Sequence, residues 1–411
     1  MVFTRSMPRF AVAALAALML AAIGLGSAQA GNRVGQTLLI THSVTGGVPN
    51  GPSTKPVISG DRRYARIIAF QSSASDLVRG DTNNLQDVFA IRRGGHIDNT
   101  GAKWVAGKTM LLSRGVGGQP ANGPSFDAAV DGDFHHTPKC VAFRSAASNL
   151  VKGDTNTAVD AFLSPGPGGS LRRVSLPGGH QASEDTTAVT VSGDCSRVAF
   201  VTGGVLYTRV GSQTKRVNSS GQAADPSFAA GASNDLVFGA SGGVYLSKNG
   251  TGSPKLIAPG GRNPGYNDLK RRVVAYEKWR GGHWQLAWRD LGKSEHIASS
   301  FDGELGNGDA RNPSVRNSGY YIGFDSDASN LGTGSSRFRN DNNGRTDVYL
   351  WTDVRKLTLC ESTEREQTPL PGGGNNMSFS YYANYILFDS PAPLGQASGP
   401  HQIFMRYLGP R

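Results

Sequence analysis

Short apolar runs, cut by clusters of Gly, Asn, Asp and Ser, follow one another along most of this chain. Runs of four to six β-branched or aromatic residues between turn formers read as strands. One run recurs seven times, ending at Phe70, Phe143, Phe200, Phe238, Tyr276, Phe324 and Phe388. Around it the order of pieces is constant. A Pro-bearing segment opens the unit, as in Pro56-Val57-Ile58-Ser59, Pro226-Ser227-Phe228 and Pro313-Ser314-Val315. A turn and the recurrent run follow, then a third run such as Val88-Phe89, Leu206-Tyr207 or Val348-Tyr349-Leu350. A short run, basic and then apolar, closes the unit, as in Leu171-Arg172-Arg173-Val174-Ser175 and Lys215-Arg216-Val217. No segment after the N-terminus carries a helical period.

Units of about 53 residues with four strands each predict an all-β fold, a β-propeller of seven blades. Degenerate turns such as Arg316-Asn317-Ser318-Gly319 leave six and eight blades open. A single blade cannot bury both of its faces, so blades must pack around an axis and the ring must close. The last unit supplies three strands, near Met377–Phe379, Ile386–Phe388 and Ile403–Met405, and then the sequence stops at Arg411. Gln36-Thr37-Leu38-Leu39-Ile40-Thr41, ahead of the first unit, is an orphan strand. It is expected to complete the seventh blade.

The first thirty residues read differently. Arg5 and Arg9 precede an apolar run from Phe10 to Leu25, and Ala28-Gln29-Ala30 offers a small-residue cleavage site. That pattern predicts a secretory signal peptide over 1–30 and a single propeller domain over 31–411, in a secreted or periplasmic protein. The whole chain has a formal charge of +11, and the predicted mature part about +9, scattered rather than clustered. Such a balance suits solubility or attraction to anionic surfaces, including peripheral membrane contact. Export argues against a nucleic-acid partner. A monomer binding a protein or an anionic envelope or polysaccharide ligand is the expectation.

Val189-Thr190-Val191-Ser192-Gly193-Asp194-Cys195-Ser196-Arg197-Val198-Ala199-Phe200, followed by Gly204-Val205-Leu206-Tyr207, resembles the WD-like propeller repeat of TolB-type proteins. The resemblance covers nearly all of the predicted mature chain and implies the propeller fold. TolB carries an additional N-terminal domain that has no counterpart in these residues, so a stand-alone exported propeller is implied and TolB's partners are not.

Candidate chemistry is sparse. Asp81, Asn83 and Asp87, Asp154, Asn156 and Asp160, and Asp341, Asn343 and Asp347 form three Asp-x-Asn-x-x-x-Asp loops. Oxygen ligands at this spacing suit calcium, whereas Asp and Asn side chains that bond their own backbone suit a turn. The three units that carry the loop, the first, second and sixth, fall on one side of a closed ring. Asp131, Asp133, His135, His136 and Cys140 are either an insertion in an exposed hairpin or ligands of a transition metal. Cys140 and Cys195 precede the recurrent strand in successive units and are a candidate disulfide; Cys360 is left over. Trp279, His283, Trp284 and Trp288 suit packing between blades, or sugar stacking. No nucleophile elbow and no phosphate-binding loop occurs. The favoured function is non-enzymatic binding or scaffolding. The alternative is a glycosidase or polysaccharide lyase, which needs carboxylates or a metal facing the channel mouth.

Overall fold

The computed structural model describes residues 35–166, 169–218, 222–231, 233–300, 303–331, 341–353, 357–363 and 369–410. The predicted signal peptide lies outside them. The described chain forms seven four-stranded antiparallel sheets. They are the blades of a propeller, and the only helical pieces among the described residues are single 3-10 turns. Blade 1 runs Ser53–Ile58, Ile67–Ser72, Asp87–Arg93, Ala106–Leu111 from the axis outwards. Blades 2 to 6 span residues 125–173, 186–216, 224–259, 261–297 and 310–360. No helix among the described residues is long and apolar enough to cross a membrane.

The recurrent apolar run is the second strand of every blade. Its terminal aromatic meets a ring on the third strand: Phe70 stacks on Phe89 with centroids 5.7 Å apart, Phe200 on Tyr207 at 5.5 Å and Phe324 on Tyr349 at 5.6 Å. Blade 5 departs from this, since Tyr276 lies opposite Ala287. Seven apolar clusters are present among the described residues, and each lies astride two neighbouring blades. One joins Ile68 and Phe70 of blade 1 to Leu387 and Met405 of blade 7. Each sheet therefore covers its neighbour's face, and no blade is an independent folding unit.

The ring closes through the N-terminal strand. Gln36–Leu39 pairs antiparallel with His401–Tyr407, in the register Gln36↔Tyr407 to Leu39↔Phe404, as the outermost strand of blade 7. Side chains complete the junction. The hydroxyl of Thr41 accepts from the Ile403 N–H at 3.3 Å and donates to Gln402 Oε1 at 2.8 Å. Ser113, Ser175 and Ser362 hold the same place after the outer strands of blades 1, 2 and 6, each accepting a third-strand N–H at 3.0 Å. Leu38-Leu39-Ile40-Thr41 is thus the counterpart of Met110-Leu111-Leu112-Ser113, displaced to the start of the chain.

Candidate functional site

Each innermost strand has one edge on the channel and is free to bulge there, because no neighbouring strand fixes its register. Lys55, Asp127, Asp225, Asn263, Asn312 and Asn376 sit at these bulges with φ between 46° and 56°. Pro follows at Pro56, Pro226, Pro264 and Pro313, where an edge position needs no N–H. The bulges bring polar groups to the channel mouth around a cavity of about 420 Å³.

One position of the second strand receives the bulge of the next blade. In blade 1 it is Gln71, whose Oε1 accepts the Asp127 N–H at 3.1 Å. In blades 5, 6 and 7 it is an acid. Glu277 accepts the Asn312 N–H at 3.2 Å, Asp325 the Asn376 N–H at 2.9 Å, and Asp389 the Lys55 N–H at 3.1 Å. Further donors hold each one: Arg262 and Asn263 on Glu277, Asn312 and the Met377 N–H on Asp325, Asn376 and His401 on Asp389. All three are at most 3 % exposed. Burial pushes the Asp325 carboxyl up to about 6. These carboxylates clasp adjacent blades, and their lone pairs are committed. Of the other mouth acids, Asp127 pairs with Lys55 at 2.6 Å and with Arg144. Asp225, raised by burial and by Glu277, has no ion pair among the described residues and, unlike Asp325, no hydrogen bonds from a neighbouring blade's bulge. Glycoside cleavage by the usual route needs two carboxyls facing the substrate.

A larger cavity lies elsewhere, on the rim between blades 7 and 1. It is a groove of about 800 Å³. The chain just after the closing strand (Ile40, His42–Val44), the blade 1 loop segment Leu77–Arg79 and the outer strand Ala106–Leu111 form its walls. Ile40, Leu77 and Met110 give an apolar floor, whereas Arg79, Lys108 and Arg114 supply three cations. No Asp or Glu lines it. No linear signal marks this groove, since its cations come from a loop, an edge strand and a blade-to-blade linker.

Arg114 also faces the first Asp-x-Asn loop, where its charge acts on Asp81 and Asp87. The loops of blades 1 and 6 share one geometry, and that of blade 2 keeps only part of it, since Asn156 Oδ1 accepts no hydrogen bond. Asn83 Nδ2 donates to Asp87 at 2.8 Å and to the Ala121 carbonyl at 3.2 Å, while its Oδ1 accepts the Leu85 N–H at 3.0 Å. Asn343 makes the same contacts to Asp347, the Leu370 carbonyl and the Arg345 N–H. Asn156 reaches the Ala182 carbonyl at 2.8 Å. Each loop thereby holds the linker that enters the next blade. The serine hydroxyls of Ser113, Ser175 and Ser362 donate to Asp87, Asp160 and Asp347. In blade 2, Arg173 Nη1 lies between the carboxylates, 3.2 Å from Asp154 and 3.3 Å from Asp160. Leu111 and Cys360 stand at the matching register positions of blades 1 and 6, so those pairs have no such cation. Burial and the neighbouring Asp87 push Asp81 up to about 6, and burial and Asp341 raise Asp347.

Cys140 and Cys195 are joined, with Cα atoms 6.2 Å apart. Asp131 lies against them, but both sulfurs are spent on each other and its carboxylate accepts the Lys139 and Cys140 N–H groups. The turn carrying Asp131, Asp133, His135 and His136 is not an exposed hairpin. Asp131 and Asp133 are 1 % and 4 % exposed, because the turn packs inward against blades 1, 3 and 7. Asp133 accepts from the His136 ring at 2.9 Å and from the N–H groups of His135 and His136. Cys360 is free and buried. Trp288 packs on Trp351 of blade 6 at 4.4 Å. Trp279 and Trp284 stay at the surface, with the Arg262 guanidinium 3.5 Å over Trp284.

No family model matches the chain, and no curated protein is similar to it in sequence. Solved structures are similar in fold. An oligogalacturonate lyase in complex with manganese is 9 % identical, with 92 % of this chain and 98 % of that one covered and a TM-score of 0.51. A puromycin-hydrolysing peptidase of Mycobacterium tuberculosis is 10 % identical over 92 % of this chain and 54 % of its own, also at 0.51. TolB from Acinetobacter baumannii is 16 % identical over 68 % and 66 %, with a TM-score of 0.37. At these identities the likeness is one of fold: the chain is a seven-bladed β-propeller.

Proposed function

We propose that this propeller is an exported, non-catalytic binding module, acting as a monomer, that takes an anionic ligand in the rim groove between blades 7 and 1. The observation that carries the reading is the groove itself, with Arg79, Lys108 and Arg114 around an apolar floor and no acid in its lining. Three like charges around one concavity attract an anionic partner, either an acidic protein surface or an acidic envelope polysaccharide. The groove lies on the side of the ring that carries the Asp-x-Asn loops. The commitment of Glu277, Asp325 and Asp389 to neighbouring blades supports binding over hydrolysis or elimination at the channel mouth.

The test is retention of envelope components by the mature chain, compared with a Lys108→Glu/Arg114→Glu variant. The wild type should retain an acidic component in a salt-sensitive manner and the variant should lose it. Equal retention by the two would refute the groove. Turnover of an acidic polysaccharide, abolished by Asp225→Asn, would replace the binding reading with an enzymatic one. Export is tested separately: the secreted protein's N-terminal residue should lie near Gly31.

A further inference from the structure

At the opposite end of the channel, side chains from three consecutive blades each leave a buried polar atom without a hydrogen bond. Asn267 ends the inner strand of blade 5 (Gly261–Asn267), Arg316 ends that of blade 6 (Ala310–Arg316), and Tyr381 follows that of blade 7 (Asn375–Phe379). Asn267 and Tyr381 are 0 % exposed. Asn267 Nδ2, Arg316 Nε and the Tyr381 hydroxyl are buried and make no hydrogen bond. The Asn267 carbonyl oxygen accepts the Leu269 N–H at 3.1 Å, which fixes the orientation of the amide. The Tyr381 hydroxyl lies beside Asn267 and Ser318 without closing a hydrogen bond to either, and Arg316 is its charged neighbour.

The acid whose charge acts on Arg316 is Asp133 of blade 2, and it is engaged by His135 and His136. Among the described residues Arg316 has no ion pair. Burial accordingly works against its charge. The buried, unbonded Nε of a half-buried guanidinium beside unbonded hydroxyl and amide donors is a costly arrangement unless an acceptor joins them. The blade 2 turn closes over the place. Phe134 packs its ring 5.2 Å from Tyr381 and 6.4 Å from Tyr382. Arg62 of blade 1 lies 4.5 Å over the Phe134 ring and donates to its carbonyl at 2.8 Å.

We propose that Asn267, Arg316, Ser318 and Tyr381 form a binding site for a small carboxylate at the closed end of the channel, beneath the Phe134 turn. The donor set selects the class. One guanidinium and neutral donors balance a single negative charge carried on two oxygens. A dianion would leave a surplus charge beside Asp133. The site lies at the other end of the channel from the mouth and apart from the rim groove.

The experiment uses the mature chain, with sodium acetate as probe against sodium chloride at equal ionic strength, followed by thermal unfolding and calorimetric titration. Acetate should raise the melting temperature saturably, and chloride should not. Arg316→Met should melt higher than the wild type in chloride, since a partly buried unpaired charge is gone, and should no longer respond to acetate. Tyr381→Phe should fold and bind acetate about tenfold more weakly, the equivalent of about 1.4 kcal/mol. Equal responses to the two salts, a wild-type response in Arg316→Met, or unchanged acetate affinity in Tyr381→Phe would each overturn the site.

Discussion

Thr41 is the residue on which closure of the ring can be measured most cleanly. It is 0 % exposed, and its hydroxyl joins the N-terminal segment to the last strand of blade 7 by two hydrogen bonds. Thr41→Val keeps the shape and the β-branch but removes both. The Ile403 N–H points to the Thr41 side of its strand, because the Ile403 carbonyl accepts the Ile40 N–H there at 2.8 Å. It therefore has no alternative partner. Gln402 is 0 % exposed, and its amide nitrogen already donates to the Gly51 carbonyl at 2.7 Å, so its oxygen cannot turn away. Two buried polar groups lose a partner, at a cost of about 2–4 kcal/mol in total. With an unfolding entropy of roughly 0.8 kcal/mol/K for a domain of this size, the melting temperature should fall by about 2–5 °C. Thr37→Val is the graded control. It removes a 2.6 Å bond to the Thr363 carbonyl, but that carbonyl keeps Arg406 at 3.1 Å, so the loss should be smaller. Urea denaturation followed by tryptophan fluorescence reads both. A Thr41→Val protein within about 0.5 kcal/mol of wild type, the range of an ordinary surface substitution, would refute the reasoning. Deletion of residues 31–43 should abolish the cooperative transition, and a truncated chain that melts like the full one would refute closure by this strand.

Other perturbations read other parts of the molecule. The Cys140–Cys195 bridge closes a loop of 55 residues, so Cys195→Ser should cost about 4 kcal/mol, and a melting temperature insensitive to reductant would contradict it. Asp131 and Asp325 are pushed up by burial to about 7 and about 6, above the unfolded value near 3.9. The folded state then binds their protons more tightly, so their contribution to stability falls as pH rises from about 4 to 7. Unfolding free energies of Asp131→Asn across that window should slope less steeply than those of the wild type, and an identical slope would count against it. Because the Asp-x-Asn loops spend their side chains as latches, EDTA and added calcium should leave the melting temperature unchanged. A rise in calcium that is lost in Asp81→Asn and Asp341→Asn but kept in Asp154→Asn would instead place a cation in blades 1 and 6, where no arginine fills the gap.

Much of the fold is legible in one dimension because the repeat is local. Phe70, Phe143, Phe200, Phe238, Tyr276, Phe324 and Phe388 mark the second strand of every blade. The orphan Leu38-Leu39-Ile40-Thr41 has the apolar-then-hydroxyl ending of an outer strand, so its place in blade 7 follows from the blade that lacks one. Such patterns survive in sequence because a strand's face alternation and its turn residues depend on near neighbours. The sites depend on distant ones. Arg79, Lys108 and Arg114 become a groove only when blade 1 stands against the closing segment, and Asp133 comes near Arg316 only across the channel. The three Asp-x-Asn loops are identical in letters to candidate cation sites, yet Arg173 fills one of them from a strand thirteen residues beyond Asp160. Sequence by itself determined the blade and how the ring ends meet, and favoured seven copies, a number the structure settled. Tertiary structure decided which carboxylates are spent on holding blades together and which cations are left facing a cavity, because both follow from burial and partners that the ring assembles from separate blades.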